Sequence, residues 1–298
     1  MKHLPNFLVI GVEKAGTTAL YNHLRAHPQI YMPALKEPDF FSYDGTPQGP
    51  AFKKKKRVIR EEAYYALFDG VRDEQAIGEA SPRYFHSPVA PARINALLPE
   101  VRLIALLRHP VERAYSHYLM MMNSGTIAYR PFVPLFREKA QSVETWAQEP
   151  LRCYGFLLSF YFESLQRYFD HFPRDRIRVY LFEDYVADPR AVLADIFDYL
   201  GVETAFTPDI DTRHNPTHGI PKNTFLHRTV MRPNLIKTIA QKLLPGTLRR
   251  RVAAQMLQQT RTDKPALPKA VRDEFTAVYR EDILKVQTLL GRDLSLWF

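Results

Sequence analysis

The chain opens on a short apolar run, Phe7-Leu-Val-Ile10, followed by a loop bracketed by Gly11 and Gly16 and a helical pattern from Thr17 to Ala26. An apolar run without polar alternation reads as a strand buried on both faces. A strand that turns through glycine into a helix starts a strand–helix–strand unit. The theme returns twice. Arg102-Leu-Ile-Ala-Leu-Leu107 meets Arg108-His-Pro110, where proline suits the first turn of a helix, and Val111 to Met122 follows in helical pattern. Ile177-Arg-Val-Tyr-Leu-Phe182 precedes Glu183-Asp184 and a helix from about Pro189 to Leu200, closed by Gly201. Ile77-Gly-Glu79 reads as a short fourth strand. This alternation predicts an α/β fold, a central and mostly parallel sheet flanked by helices, in a single domain over residues 1–298.

Ligands of such sheets sit at the carboxyl ends of the strands. Gly11 to Thr18, Glu79 to Arg83, Arg108 to Ser116 and Glu183 all fall at such ends, so four polar clusters converge on one edge. In the first cluster, Gly11-Val-Glu-Lys14-Ala15-Gly16-Thr17-Thr18 offers backbone N–H groups and a helix N-terminus to an anion. The spacing is P-loop-like, but Thr17 stands where a nucleoside-triphosphate loop has its lysine, and the lysine lies inside the loop at Lys14. An ordinary strand–helix turn uses the same residue types, so the loop alone does not fix a function.

Composition narrows the classes. With 46% hydrophobic residues the chain can bury a core, and its one cysteine, Cys153, excludes an internal disulfide and a four-cysteine metal site. No apolar stretch reaches the roughly 18 residues of a membrane span, and no signal peptide is visible, so a cytoplasmic location is expected. The net charge is +9, yet ten basic residues and no acidic ones lie between Thr212 and Thr262, which leaves −1 for the rest. That segment suits an anionic ligand or surface, or is a solvated basic face. Within it, residues 235–248 form a basic amphipathic pattern that can lie peripherally on an anionic membrane. A surface helix packing its apolar side on the core is the commoner reading.

The loop around Lys14 resembles the 5′-phosphosulfate-binding loop of sulfotransferases that use 3′-phosphoadenosine-5′-phosphosulfate (PAPS), closest to the bacterial and carbohydrate (heparan sulfate type) branch. Lys36-Glu37-Pro38-Asp39-Phe40-Phe41 is similar to that branch's acceptor-side motif, and Gly78-Glu79-Ala80-Ser81-Pro82-Arg83-Tyr84-Phe85 to its second-strand motif. Leu107-Arg108-His109-Pro110 through Arg113, Ser116 and Tyr118 is similar to the 3′-phosphate-binding motif, and Leu290 to Trp297 to the family's terminus.

The resemblance implies a transferase that moves a sulfuryl group from PAPS to a hydroxyl or amine by in-line displacement, with no metal. It implies that Lys14, Ala15, Gly16, Thr17 and Thr18 hold the 5′-phosphosulfate and that Arg108 and Ser116 bind the 3′-phosphate. Arg213 and Lys222 fall where relatives have a loop that closes over the nucleotide. Glu37 is the expected general base, with Glu79 competing; their ordinary alternatives are ion pairs, Glu37 with Lys36 or Lys14 and Glu79 with Arg83. Arg113 is left aside as pairing with Glu112 or a neighbour. Phe40, Phe41, Tyr84 and Phe85 are expected as core or pocket walls. Asp39 and Ala80 replace the His and Lys common in glycan-modifying relatives, so the acceptor is expected only as a glycan or glycolipid. No nucleic-acid partner is expected, because no aromatic platform is interleaved with the basic residues. The rival readings are a P-loop kinase or triphosphatase and a non-enzymatic anion-binding module.

Overall fold

The computed structural model describes residues 3–43, 58–124, 126–127, 130–143, 155–210 and 264–298. Arg213, Lys222, the basic segment 212–262 with its amphipathic stretch, and Lys53 to Arg57 lie outside the described residues.

Five strands form one sheet: β1 (Phe7–Gly11), β2 (Ile30–Tyr31), β3 (Ala76–Ala80), β4 (Arg102–Leu107) and β5 (Ile177–Leu181), in the order β2-β3-β1-β4-β5. Every pairing is parallel, with Leu8 opposite Glu79 on one side and Leu103 on the other. Phe7 to Ile10 and Leu103 to Leu107 are fully buried, as expected of strands covered on both faces. Among the described residues the helices are α1 (Thr17–Ala26), α2 (Glu61–Tyr65), α3 (Ala90–Leu97), α4 (Pro110–Asn123), α5 (Phe132–Ala140), α6 (Phe162–Phe169), α7 (Phe182–Ala187), α8 (Pro189–Leu200) and α9 (Lys269–Leu290). None of them is long and apolar enough to cross a membrane.

The chain divides into two compact units. The first, Met1–Arg113 with Phe160–Asn215 and Arg280–Phe298, carries the whole sheet. At its centre Gly78 sits in register with Phe7, whose ring crosses β3 so closely that a Cβ at Gly78 would lie 2.3 Å from the ring. Gly78→Ala should therefore destabilise the protein by about 1–3 kcal/mol through overpacking. Urea denaturation reads this as a lower midpoint at unchanged slope.

The second unit, Ala114–Ser159 with Pro216–Tyr279, has an aromatic core. Phe136 stacks on Phe275 with centroids 4.0 Å apart, and Phe132 packs against Tyr115, Phe156 and Phe275. On its surface Arg137 grips Glu274 through two hydrogen bonds of 2.8 and 2.7 Å.

Candidate active site

The loop after β1 is held in a shape few residues tolerate. Lys14 adopts φ 73° and Gly16 φ 86°, both left-handed. A side chain at Gly16 would meet the Phe182 ring at 2.9 Å, so the position requires glycine for space as well as conformation. Gly16 caps α1 without a side-chain hydrogen bond, and no acidic residue occupies the first turn, which begins at Thr17 and Thr18. The helix therefore presents its positive end with nothing of this chain's own to neutralise it in that turn.

Three cations gather at this loop. Arg108, just past β4, donates from Nη1 to the Lys14 carbonyl at 3.1 Å, lies 3.5 Å from Glu112, and rests over the Phe182 ring at 4.5 Å. Arg113, fully buried, places Nη1 3.5 Å from the Glu13 carbonyl. Burial pushes the Lys14 amine down to about 8; Arg108 and Arg113 push the same way, while Glu13 and Glu37 oppose them. A lysine held so far below its usual range is one whose positive charge lacks a full counter-charge, and an incoming anion supplies it. Glu112, four residues after Arg108, pairs with it as an i,i+4 neighbour, and Arg113 also reaches the loop.

The acceptor-side segment lies at the end of β3. Glu37 (φ 60°) donates its N–H to the Ala80 carbonyl at 3.1 Å, and Asp39 (φ 57°) donates its N–H to Ser81 Oγ at 3.1 Å. The Glu37 carboxylate pairs with Lys36 Nζ at 2.6 Å, and its side chain is 31% exposed. It lies near enough to raise the affinity of Lys14 for its proton. Glu79, by contrast, is fully buried, accepting from Ser81 Oγ at 2.8 Å and Tyr64 Oη at 3.5 Å. Burial pushes its carboxyl up to about 7 against these hydroxyl donors. The pairing of Glu79 with Arg83 is corrected. Arg83 points across the strand end, with Nε 3.5 Å from Glu13 and 3.7 Å from the buried Asp39. Phe40, Phe41, Tyr84 and Phe85 are buried as walls, and Phe40 stacks on Tyr64 at 4.4 Å.

Lys14, Ala15, Gly16, Thr17, Arg108 and Glu37 are thus assembled at one edge of the sheet, with Glu79 beneath it. Ser116 is buried on α4 and belongs to the second unit. The contacts of Arg83 with Glu13 and Asp39, and of Arg113 with the loop, were not expected from the sequence. The part of these residues depends on which neighbours they meet across the strand ends. The arrangement can hold a doubly anionic group at Lys14 and the α1 terminus, with a partly exposed carboxylate nearby to take a proton. Among the described residues no cluster of three or more His, Cys, Asp or Glu could hold a metal.

The model of the sulfotransferase family matches residues 5–208. A human heparan sulfate glucosamine 3-O-sulfotransferase 3B1 is 33% identical over 225 residues, covering 74% of this chain and 52% of that protein. A mouse heparan sulfate glucosamine 3-O-sulfotransferase 6 is 28% identical over 303 aligned positions, covering 99% of this chain and 74% of that protein. The chain spans about half the length of the first curated relatives it matches. A crystal structure of a sulfotransferase from Alicyclobacillus acidocaldarius superposes with a TM-score of 0.71 at 28% identity, covering 99% of both chains.

Proposed function

The chain belongs to the sulfotransferase family, and from that premise we propose that it transfers a sulfuryl group from PAPS to a hydroxyl or amine of a carbohydrate. The observation that carries the reading is the convergence of Lys14, Arg108 and an uncapped helix N-terminus on one loop. A phosphosulfate ester leaves as an anion, and donors aimed at that developing charge lower the barrier most.

In the proposed displacement Glu37 takes the proton of the acceptor hydroxyl. The freed electron pair forms the new oxygen–sulfur bond as the bond from sulfur to the 5′-phosphate oxygen breaks, and that oxygen leaves with its electrons on 3′-phosphoadenosine-5′-phosphate. Lys14 and the N–H and hydroxyl groups of Gly16, Thr17 and Thr18 receive the charge. What favours Glu37 over Glu79 is access, since its side chain is partly exposed while Glu79 is sealed under Ser81 and Tyr64. Arg108 and Ser116 take the 3′-phosphate, with a guanidinium fork and a hydroxyl suited to a terminal phosphate. Arg213 and Lys222 are proposed to contact the donor as well. The glycan acceptor is supported by the names of the relatives, which act on heparan sulfate glucosamine.

Isothermal titration tests the donor assignment. The product 3′-phosphoadenosine-5′-phosphate should bind far more tightly than AMP, which lacks the 3′-phosphate. Arg108→Ala should weaken the former by roughly ten- to hundredfold, the loss expected of one charge-assisted contact, and leave AMP nearly unchanged. Equal or tighter binding of ATP would return the chain to the kinase reading.

A further inference from the structure

The end of β4, where Arg108 departs, is held from two sides by groups that the C-terminal segment itself holds. On one side Asp282, on α9, accepts the backbone N–H groups of Tyr161 at 2.7 Å and Phe162 at 3.1 Å. These are the entry to α6, where a carboxylate is favoured by the free N–H groups and by the helix dipole. Tyr161, fully buried, then donates its hydroxyl to the Arg108 carbonyl at 2.7 Å. Burial pushes this phenol well above its usual range, so it stays a donor. On the other side Trp297, also fully buried, donates its indole N–H to Glu183 Oε2 at 3.3 Å. The second oxygen of Glu183 accepts the His109 N–H at 2.9 Å.

We propose, resting on Arg108 as the 3′-phosphate ligand, that Asp282 and Trp297 are positioning residues for donor recognition. Through Tyr161 and Glu183 they fix the two consecutive main-chain groups from which the Arg108 side chain is aimed. The tail is itself locked in place. Arg292 pairs with Asp184, next to Glu183, and the Leu294 N–H is bound by Gln287 at 3.0 Å. A guanidinium fork reads a phosphate bidentately only in a narrow geometry, and a displacement of about 1 Å is enough to lose up to about a hundredfold at a preorganised site. The proximal links suit the task because each ends on backbone. They set the direction of the Arg108 side chain, and the Glu183 carboxylate also lies near enough to favour the charged guanidinium.

The test is titration of the full-length protein with 3′-phosphoadenosine-5′-phosphate and with AMP, well below the melting temperature of each variant. Tyr161→Phe deletes one hydrogen bond and keeps its ring, so it should fold; Trp297→Phe deletes the other and puts a smaller ring at a fully buried site, which also costs packing. Asp282→Asn disturbs the α6 entry. Each is expected to weaken the 3′-phosphorylated nucleotide by about three- to tenfold, the value of one lost hydrogen bond, while AMP moves less than about twofold. The ratio of the two affinities therefore shrinks. Equal losses for both nucleotides would make these residues general supports of the fold, and an unchanged ratio in Tyr161→Phe and Trp297→Phe would overturn the inference alone. A wild-type protein that does not distinguish the two nucleotides overturns the donor reading and this inference with it.

Discussion

Replacing Lys14 with methionine is expected to lower kcat by about 10²–10³-fold, the loss typical of one donor to a developing anion, without lowering stability. The two halves of this result have one cause. Lys14 is half-buried beside Arg108 and Arg113, and its amine is held at about 8 instead of its ordinary 10.5. Its charge is thus a strain on the free protein that a bound anion relieves. Methionine keeps most of the volume and removes the charge. The pH dependence carries the sign. Between pH 8 and 10.5 the unfolded chain holds the Lys14 proton while the folded chain releases it, so wild-type stability gains from this residue as pH rises through that window. The methionine variant lacks that gain, and its melting temperature at pH 7 should equal or exceed that of the wild type. Nucleotide affinity has the opposite trend. Above about pH 8 an empty site must take up a proton to bind, so affinity falls with rising pH in the wild type only. Melting curves and titrations at pH 7 and 9 check both.

Glu37→Gln is expected to lower kcat by about 10²–10⁴-fold, the range of general base catalysis, with the donor KM little changed. Glutamine keeps the shape and the backbone anchor to Ala80 but cannot accept the acceptor's proton. Stability should move by less than about 1 kcal/mol, because the pair with Lys36 is partly exposed and such pairs contribute little. Glu79→Gln provides the contrast. Its carboxyl, raised from 4.5 to about 7, holds its proton longer in the folded chain than in the unfolded one. Wild-type stability therefore falls as pH rises from 4.5 to 7, and the glutamine variant loses that slope. Its effect on kcat should be indirect, through the Ser81 hydroxyl that links Glu79 to the Asp39 backbone. A larger loss of kcat in Glu79→Gln than in Glu37→Gln would exchange their roles.

The strands that frame the site were legible wherever an apolar run met a polar turn. β1 with its loop and α1, β4 with α4, and β5 with α8 all stand where alternation placed them, and Gly201 closes α8. The short strand around Glu79 proved to be β3. β2 was not legible, because two residues carry no periodicity and it exists through its pairing with β3. α9 was missed as well. Its buried side, Phe275, Tyr279, Ile283 and Val286, repeats at the three- and four-residue spacing of an amphipathic helix and was open to reading.

In the site, residues at strand ends could be found by position, Lys14 and Arg108 among them. Those defined by what they meet could not. Arg113 reaches the Glu13 carbonyl across a hundred residues, a contact that sequence spacing cannot show. Arg83 and Asp39 meet only because the left-handed turn at Asp39 brings its loop against β3. Asp282 and Trp297 lie more than a hundred residues from the main-chain groups they help hold.

The most direct measurement is transfer itself. The full chain is incubated with PAPS carrying radiolabelled sulfur and a heparan-type polysaccharide, and the polymer and nucleotide are separated and counted. The predicted result is label in the polysaccharide, one 3′-phosphoadenosine-5′-phosphate formed per sulfuryl group transferred, and loss of both in the Lys14 and Glu37 variants. Label remaining wholly in PAPS while ATP is consumed under the same conditions would contradict the account.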